Sequence, residues 1–185
     1  MDLERIKQLA GITDDLLFHG GSHVLTNLEP KWMLHGESNN QEGVGIYFSP
    51  DIKVAQGYGE KISYIVNDHI TIKPSRAPID TMITADQAVK IFSYILERDE
   101  NFWYMISDYV EVSEPEDIEQ YHLETVWDMM KDQMARDWQL ELAMASNVVD
   151  FVEAWHNFTS IDGLYEDDSK FYAIINPNIK ATPIK

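Results

Sequence analysis

Residues 45–59, GIYFSPDIKVAQGYG, run from a strand into a helix and decide the fold. Gly45-Ile46-Tyr47-Phe48 is a short apolar run of strand character. Ser49-Pro50 after it has the form of a helix N-cap followed by proline at the first helical position. A short helix is therefore expected over Asp51 to Gln56, stopped by Gly57, with the strand delivering Tyr47 to the mouth of a helix start. A second apolar run, Leu16-Leu17-Phe18, ends on His19 and the turn residues Gly20-Gly21. A third, Phe171 to Ile175, follows the acids Glu166, Asp167 and Asp168 and stops at Asn176-Pro177. Strand ends beside glycine let a ligand approach the backbone closely. His19, Gly20, Tyr47 and the acids ahead of Tyr172 are thus the candidate site.

The rest of the chain arranges itself around these three strands. A helix is expected over Leu3 to Leu9, and residues 22 to 44 read as irregular, punctuated by Pro30, Gly36 and Gly43. Ile62 to Val66 and His69 to Ile72 read as two strands joined by the turn Asn67-Asp68. From Thr84 the pattern becomes helical: Thr84 and Gln87 form a capping box, and Ala88, Ile91, Phe92, Ile95 and Leu96 follow at helical spacing. Ser113 and Glu116 offer a second box, opening a long acidic helical stretch through Trp127, Trp138 and Leu142. A further helix is expected over Val148 to Phe158, ahead of a turn at Asp162-Gly163. Strands flanking a helical block make the class α+β. The 185 residues are expected to form one domain, with the helical block at about 84–158 as an insertion.

Composition narrows the function classes. With 44% hydrophobic and 11% aromatic residues the chain has the material for a core. Without cysteine it can form neither disulfides nor thiolate metal sites, and a reducing, cytoplasmic setting is expected. No apolar run approaches the ~20 residues of a membrane-spanning helix. The balance of 14 basic against 32 acidic residues, a formal charge of −18, repels a phosphate backbone. Nucleic acid is therefore a poor partner, and a protein with a basic surface is the expected one. His19, His23 and His35 fall in a glycine-rich segment with no fixed face, so no metal site is expected.

Leu17-Phe18-His19-Gly20-Gly21-Ser22, then Gly45-Ile46-Tyr47-Phe48 with Ala55 and Tyr58 behind it, then Asp162-Gly163-Leu164 leading to Tyr172 and Asn176-Pro177, together resemble the ADP-ribosyltransferases of the His-Tyr-Glu type. That superfamily includes the poly(ADP-ribose) polymerases and diphtheria-toxin-like enzymes. The eleven-residue step from Tyr47 to Tyr58 matches its spacing between two ring-stacking tyrosines. The chain is also similar to short members carried in phage genomes, some of which act as anti-CRISPR effectors. The resemblance covers roughly residues 16 to 80 and 161 to 180 and leaves the helical block unmatched. It implies split antiparallel sheets around a cleft for NAD, a monomer, and transfer of one ADP-ribose to a macromolecule, in a host cytoplasm if the chain is phage-encoded. It further implies that His19, Gly20, Ser22, Tyr47, Phe48 and Tyr58 hold NAD, with His19 and Tyr47 also in the catalytic set.

Those roles are physically sensible. Two tyrosine faces can clamp a flat cationic nicotinamide ring, the backbone of Gly20 can reach its carboxamide, and His19 can bond a ribose hydroxyl. A carboxylate beside the ribose would stabilise an oxocarbenium-like transition state. Here the chain departs from the pattern. The position that commonly carries the acid, directly before the strand tyrosine, is Phe171, and Ala55 stands where polymerases carry a serine. The catalytic acid is therefore expected from the loop, Asp168 first and Glu166 second. Gln139-Leu140-Glu141 imitates a toxin signature that belongs on a turn, but lies inside a helical pattern. The competing expectation is an acidic protein of the same fold, without activity, that inhibits a basic partner by contact.

Overall fold

The computed structural model describes residues 15–34, 43–166 and 171–184. The expected helix at Leu3–Leu9, His35 and the acids Asp167 and Asp168 lie outside the described residues. Among the described residues seven strands form two sheets. The first is antiparallel, with β1 (Leu16–Gly21), β3 (Lys61–Val66) and β7 (Thr182–Pro183) in the order β1-β3-β7. The second holds β2 (Ile46–Phe48), β6 (Tyr172–Ile174), β5 (Gly163–Tyr165) and β4 (Ile72–Pro74) in the order β2-β6-β5-β4. Two sheets with a helical block between their strands in the chain make the fold α+β, as expected from the sequence.

β1 joins the layers because its side chains alternate. Leu17 enters the main core, whereas Leu16 and Phe18 pack with Ala55 and Ile62 in a smaller cluster. Behind β2, α1 (Ile52–Gln56) lies across β1. It starts later than Ser49-Pro50 suggests. Asp51 is its cap, accepting from the Lys53 N–H at 2.9 Å, while Ser49 is held extended by two backbone bonds to Phe18, of 2.7 and 2.8 Å. The Ser49 hydroxyl accepts from the Asp51 N–H at 3.1 Å, so it orders the approach to the cap and leaves the first helical turn to Asp51.

The expected hairpin after β3 does not form. β3 already carries β1 on one edge and β7 on the other, so the chain crosses over and β4 pairs in parallel with β5. Gly163 accordingly opens a strand, β5, where the sequence suggests only a turn.

The helical block comprises α2 (Ala85–Leu96), α3 (Phe102–Ser107), α4 (Gln120–Met130), α5 (Ala135–Ala145) and α6 (Val148–Phe158). Thr84 and Gln87 form the expected capping box. The second box is Glu119 with His122, not Ser113 with Glu116, because Pro115 draws residues 115–117 into a 3-10 turn. The long acidic stretch breaks between α4 and α5, where Ile79 donates to Gln133 and Ala135 donates to Ala77. Trp138 lies at the centre of the block, with Phe92, Trp127 and Trp155 rings 5.8 to 6.3 Å away. This core runs without interruption into Ile46, Phe48, Leu164 and Ile174 of the second sheet. No described helix is long and apolar enough to cross a membrane.

The start of α2 and the end of α6 share one residue. Gln87 accepts from the Thr84 N–H at 2.9 Å and donates to the Phe158 carbonyl at 2.8 Å. Thr84→Ala removes only the cap hydroxyl and is expected to cost about 1 kcal/mol. Gln87→Ala also strands the Phe158 carbonyl, so it should cost more than Thr84→Ala in urea unfolding.

Candidate functional site

β1 and β2 start as neighbours and then part. Phe18 and Ser49 exchange both backbone bonds, as a close antiparallel pair does. Two residues on, Gly20 and Tyr47 would form the next such pair. They do not, because the His19 side chain stands between the strands and its Nδ1 bonds the Tyr47 carbonyl oxygen at 3.0 Å. Since Phe18 turns its polar backbone groups toward β2 and not β3, strand alternation turns those of Gly20 the same way. They face the gap that His19 holds open.

The gap widens into a cavity of about 680 Å³. Its walls include His19, Gly20, Ser22, Tyr47, Phe48 and Tyr58, so the six residues expected to hold a ligand line one space. The volume lies within the ~300–1,000 Å³ range of small-molecule sites. Residues 22–32, which carry no periodic signal in the sequence, supply the opposite wall through Val24, Glu29 and Trp32. Glu29 is the one carboxylate among the described residues of the lining, and Lys31 neutralises it at 2.6 Å.

Each side chain has a specific setting. A carbonyl only accepts, so His19 Nδ1 carries a proton and Nε2, in the neutral ring, is an acceptor. Burial pulls this imidazole below its ordinary value of 6.5, against the smaller opposing effect of the Tyr47 bond. The Phe48 ring is buried in the main core, 5.7 Å from the His19 ring, and supports it from below. The Tyr47 hydroxyl donates to the Gly43 carbonyl at 2.8 Å, which fixes the ring at the cavity wall. Tyr58 is 47% exposed and lies at the rim. Ser22 is exposed at the mouth, with Oγ 2.9 Å from His23 Nδ1.

Gly20 has a structural reason as well as a chemical one. A Cβ there would fall 1.8 Å from the Ala55 carbonyl oxygen, so glycine is what lets α1 lie against β1. Ala55 presents that carbonyl to β1, and its own side chain is buried in the smaller cluster.

The acids separate. Glu166 is 9% exposed, forms an ion pair with Arg76 and is absent from the cavity wall. Phe171 is in the wall, in edge contact with both tyrosines: 6.5 Å from the Tyr47 ring and 5.6 Å from the Tyr58 ring. The sequence marks Phe171 only as a missing acid; the structure sets its ring in the cleft wall beside the two tyrosines. Gln139 and Glu141 lie within α5, as the helical pattern requires. Among the described residues no three metal-ligating side chains come together.

The chain matches no protein-family model and no curated protein. A solved structure, that of an anti-CRISPR protein, is similar at 13% identity and a TM-score of 0.36, over 91% of this chain and 94% of that one.

The His19 setting is measurable. An NMR titration is expected to place its midpoint below 6.5, with the proton on Nδ1. The unfolded chain then binds the His19 proton at a higher pH than the folded chain. This site's contribution to stability is therefore complete above 6.5 and declines as pH falls from there toward the folded midpoint. His19→Gln should flatten that part of the stability profile.

Proposed function

We propose that the cleft binds NAD and that the chain is a mono-ADP-ribosyltransferase acting on a macromolecule, most reasonably a protein with a basic surface. The observation that carries this reading is the His19 wedge. It leaves the Gly20 strand edge, an imidazole acceptor and two tyrosine rings on a single cavity. A strand edge offers a donor and an acceptor side by side, the complement of a carboxamide. Tyr47 and Tyr58 supply faces for an electron-poor ring, and His19 Nε2 and Ser22 Oγ supply partners for ribose hydroxyls. Bound there, NAD would supply the ADP-ribosyl group, its nicotinamide departing from the ribose C1′. The chain's part is to orient that bond, exclude water from it and place a carboxylate near it. Glu166 is committed to Arg76, so Asp168 is the first candidate for that carboxylate. The effector role implied by the resemblance belongs to the same proposal.

A second reading has its own observation. Phe171 stands with both tyrosines at the position where the resemblance calls for an acid. That favours an inactive protein of the same architecture that blocks a basic partner through its charge of −18.

Two measurements decide. Tyr47→Ala and Tyr58→Ala are each expected to weaken NAD binding by ~1–3 kcal/mol, the range for stacking on an aromatic side chain. Unchanged affinity in both folded variants, by calorimetry, would remove NAD from this cleft. Asp168→Ala is expected to abolish ADP-ribose adducts on proteins of a lysate incubated with the chain and NAD, read by mass spectrometry, with NAD affinity nearly unchanged. Adducts lost in Glu166→Ala but not in Asp168→Ala would move the catalyst. No adducts from the native chain, together with inhibition of a partner in the absence of NAD, would establish the blocking reading.

A further inference from the structure

The helical block has no counterpart in the sequence resemblance, and in the proposed function it would recognise the macromolecular partner. One of its side chains does something else. Gln139, on α5, is fully buried, and its Oε1 accepts from the Val44 backbone N–H at 3.2 Å. Val44 belongs to the three-residue approach to β2. Next to it, Gly43 supplies the carbonyl that holds the Tyr47 hydroxyl at 2.8 Å. Gly43 has φ +125°, a region that L side chains rarely adopt, and a Cβ there would meet Gln139 Oε1 at 2.8 Å. Gly45, on the other side, donates to the Met33 carbonyl at 3.1 Å. The approach to β2 is thus seated on a helical side chain at one point and, at another, on Met33, the buried neighbour of the wall residue Trp32.

We propose that Gln139 is a positioning residue for the cleft: through Val44 and Gly43 it fixes the tyrosine ring that faces the ligand. The path has three links, Gln139 to the Val44 N–H, Val44 to Gly43 through the chain, and the Gly43 carbonyl to the Tyr47 hydroxyl. Removing the first leaves a buried N–H without its acceptor, and the segment relieves that cost by shifting. A shift at Gly43 moves the acceptor from under the Tyr47 hydroxyl and frees the ring to turn. The amide also has a reason to be glutamine. Its Nε2 is buried with no partner among the described residues, a cost accepted for the placement of Oε1. The helical block therefore sets the geometry of one wall of the site, so that partner contact on the block and ligand contact in the cleft share a rigid element.

The ligand arm of the test rests on the NAD reading, and a second arm does not. Gln139→Met keeps the volume and removes the acceptor; Tyr47→Phe keeps the ring and removes the hydroxyl. Gln139→Met is expected to weaken NAD binding about tenfold in calorimetry, within the range of coupling inside one hydrogen-bonded network. In the Tyr47→Phe background the same substitution is expected to have little further effect. Full additivity of the two effects would overturn the proposal while leaving NAD binding in place. In the second arm, the apo chain carries 3-fluorotyrosine, and the resonance of Tyr47 is identified by its loss in Tyr47→Phe. That resonance should move toward the position of an exposed tyrosine in Gln139→Met. An unmoved resonance overturns the proposal whether or not NAD binds. Should Gln139→Met not fold, Gln139→Asn, one methylene short of Val44, takes its place in both arms.

Discussion

The bond from His19 Nδ1 to the Tyr47 carbonyl is the point on which the architecture turns. Two antiparallel strands that have paired once, at Phe18 and Ser49, gain a further pair of hydrogen bonds by continuing. A side chain that takes one of those carbonyls stops the pairing and parts the sheets. One such bond contributes only about 0.5–1.5 kcal/mol net, so it cannot hold two sheets apart alone. The divergence is secured from behind by α1, which lies against β1 only because position 20 has no side chain. Gly20 therefore does two things with one absence, admitting a helix on one face of β1 and leaving a bare strand edge on the cleft.

The other wall is secured by the helical block. α6 packs against the 3-10 turn Pro30–Trp32, and Trp155 donates to the Ile161 carbonyl at 2.8 Å just ahead of β5. Trp155 thus ties α6 to the segment that leads into the second sheet as well as filling a core. Outside, the block has a different character: from Asp99 to Met130 the chain has no Lys or Arg. Its inner face supports the cleft and its outer face carries much of the charge.

What the sequence makes legible here is what local chemistry controls. The apolar runs at Leu16–Phe18 and Ile46–Phe48, the Thr84 capping box, α6 and β6 are each written in adjacent or helically spaced residues, whereas the closing strand β7 is not. Pairing is another matter. Nothing near Ile72 indicates that both edges of β3 are taken, so the crossover to β5 is invisible locally. The Glu119–His122 cap escapes for a different reason, since a histidine at the third helical position is not the usual partner. In the site, His19, Tyr47 and Tyr58 are legible through their spacing and their resemblance to a family. The Gln139 contact with Val44 is not, because its two ends are 95 residues apart and only packing of the helical block joins them.

The charge of the chain bears on the cleft in a way that composition alone misstates. A net charge of −18 would repel a dinucleotide with two phosphates if it were spread over the binding site. It is not: the described lining contains neither Lys nor Arg, and its one carboxylate, Glu29, is paired with Lys31. At physiological ionic strength charges more than about 8 Å from a ligand are largely screened, so the charge of the lining bears on a ligand more than the total does. A described lining of aromatic rings, the imidazoles of His19 and His23 and a bare strand edge can then select for ring shape and hydrogen-bonding pattern. In the proposed function the acids of the outer surface would act on a basic macromolecule. Recognition of a small ligand and of a large partner would in this way be separated by electrostatics, with α5 as the mechanical tie between cleft and helical block.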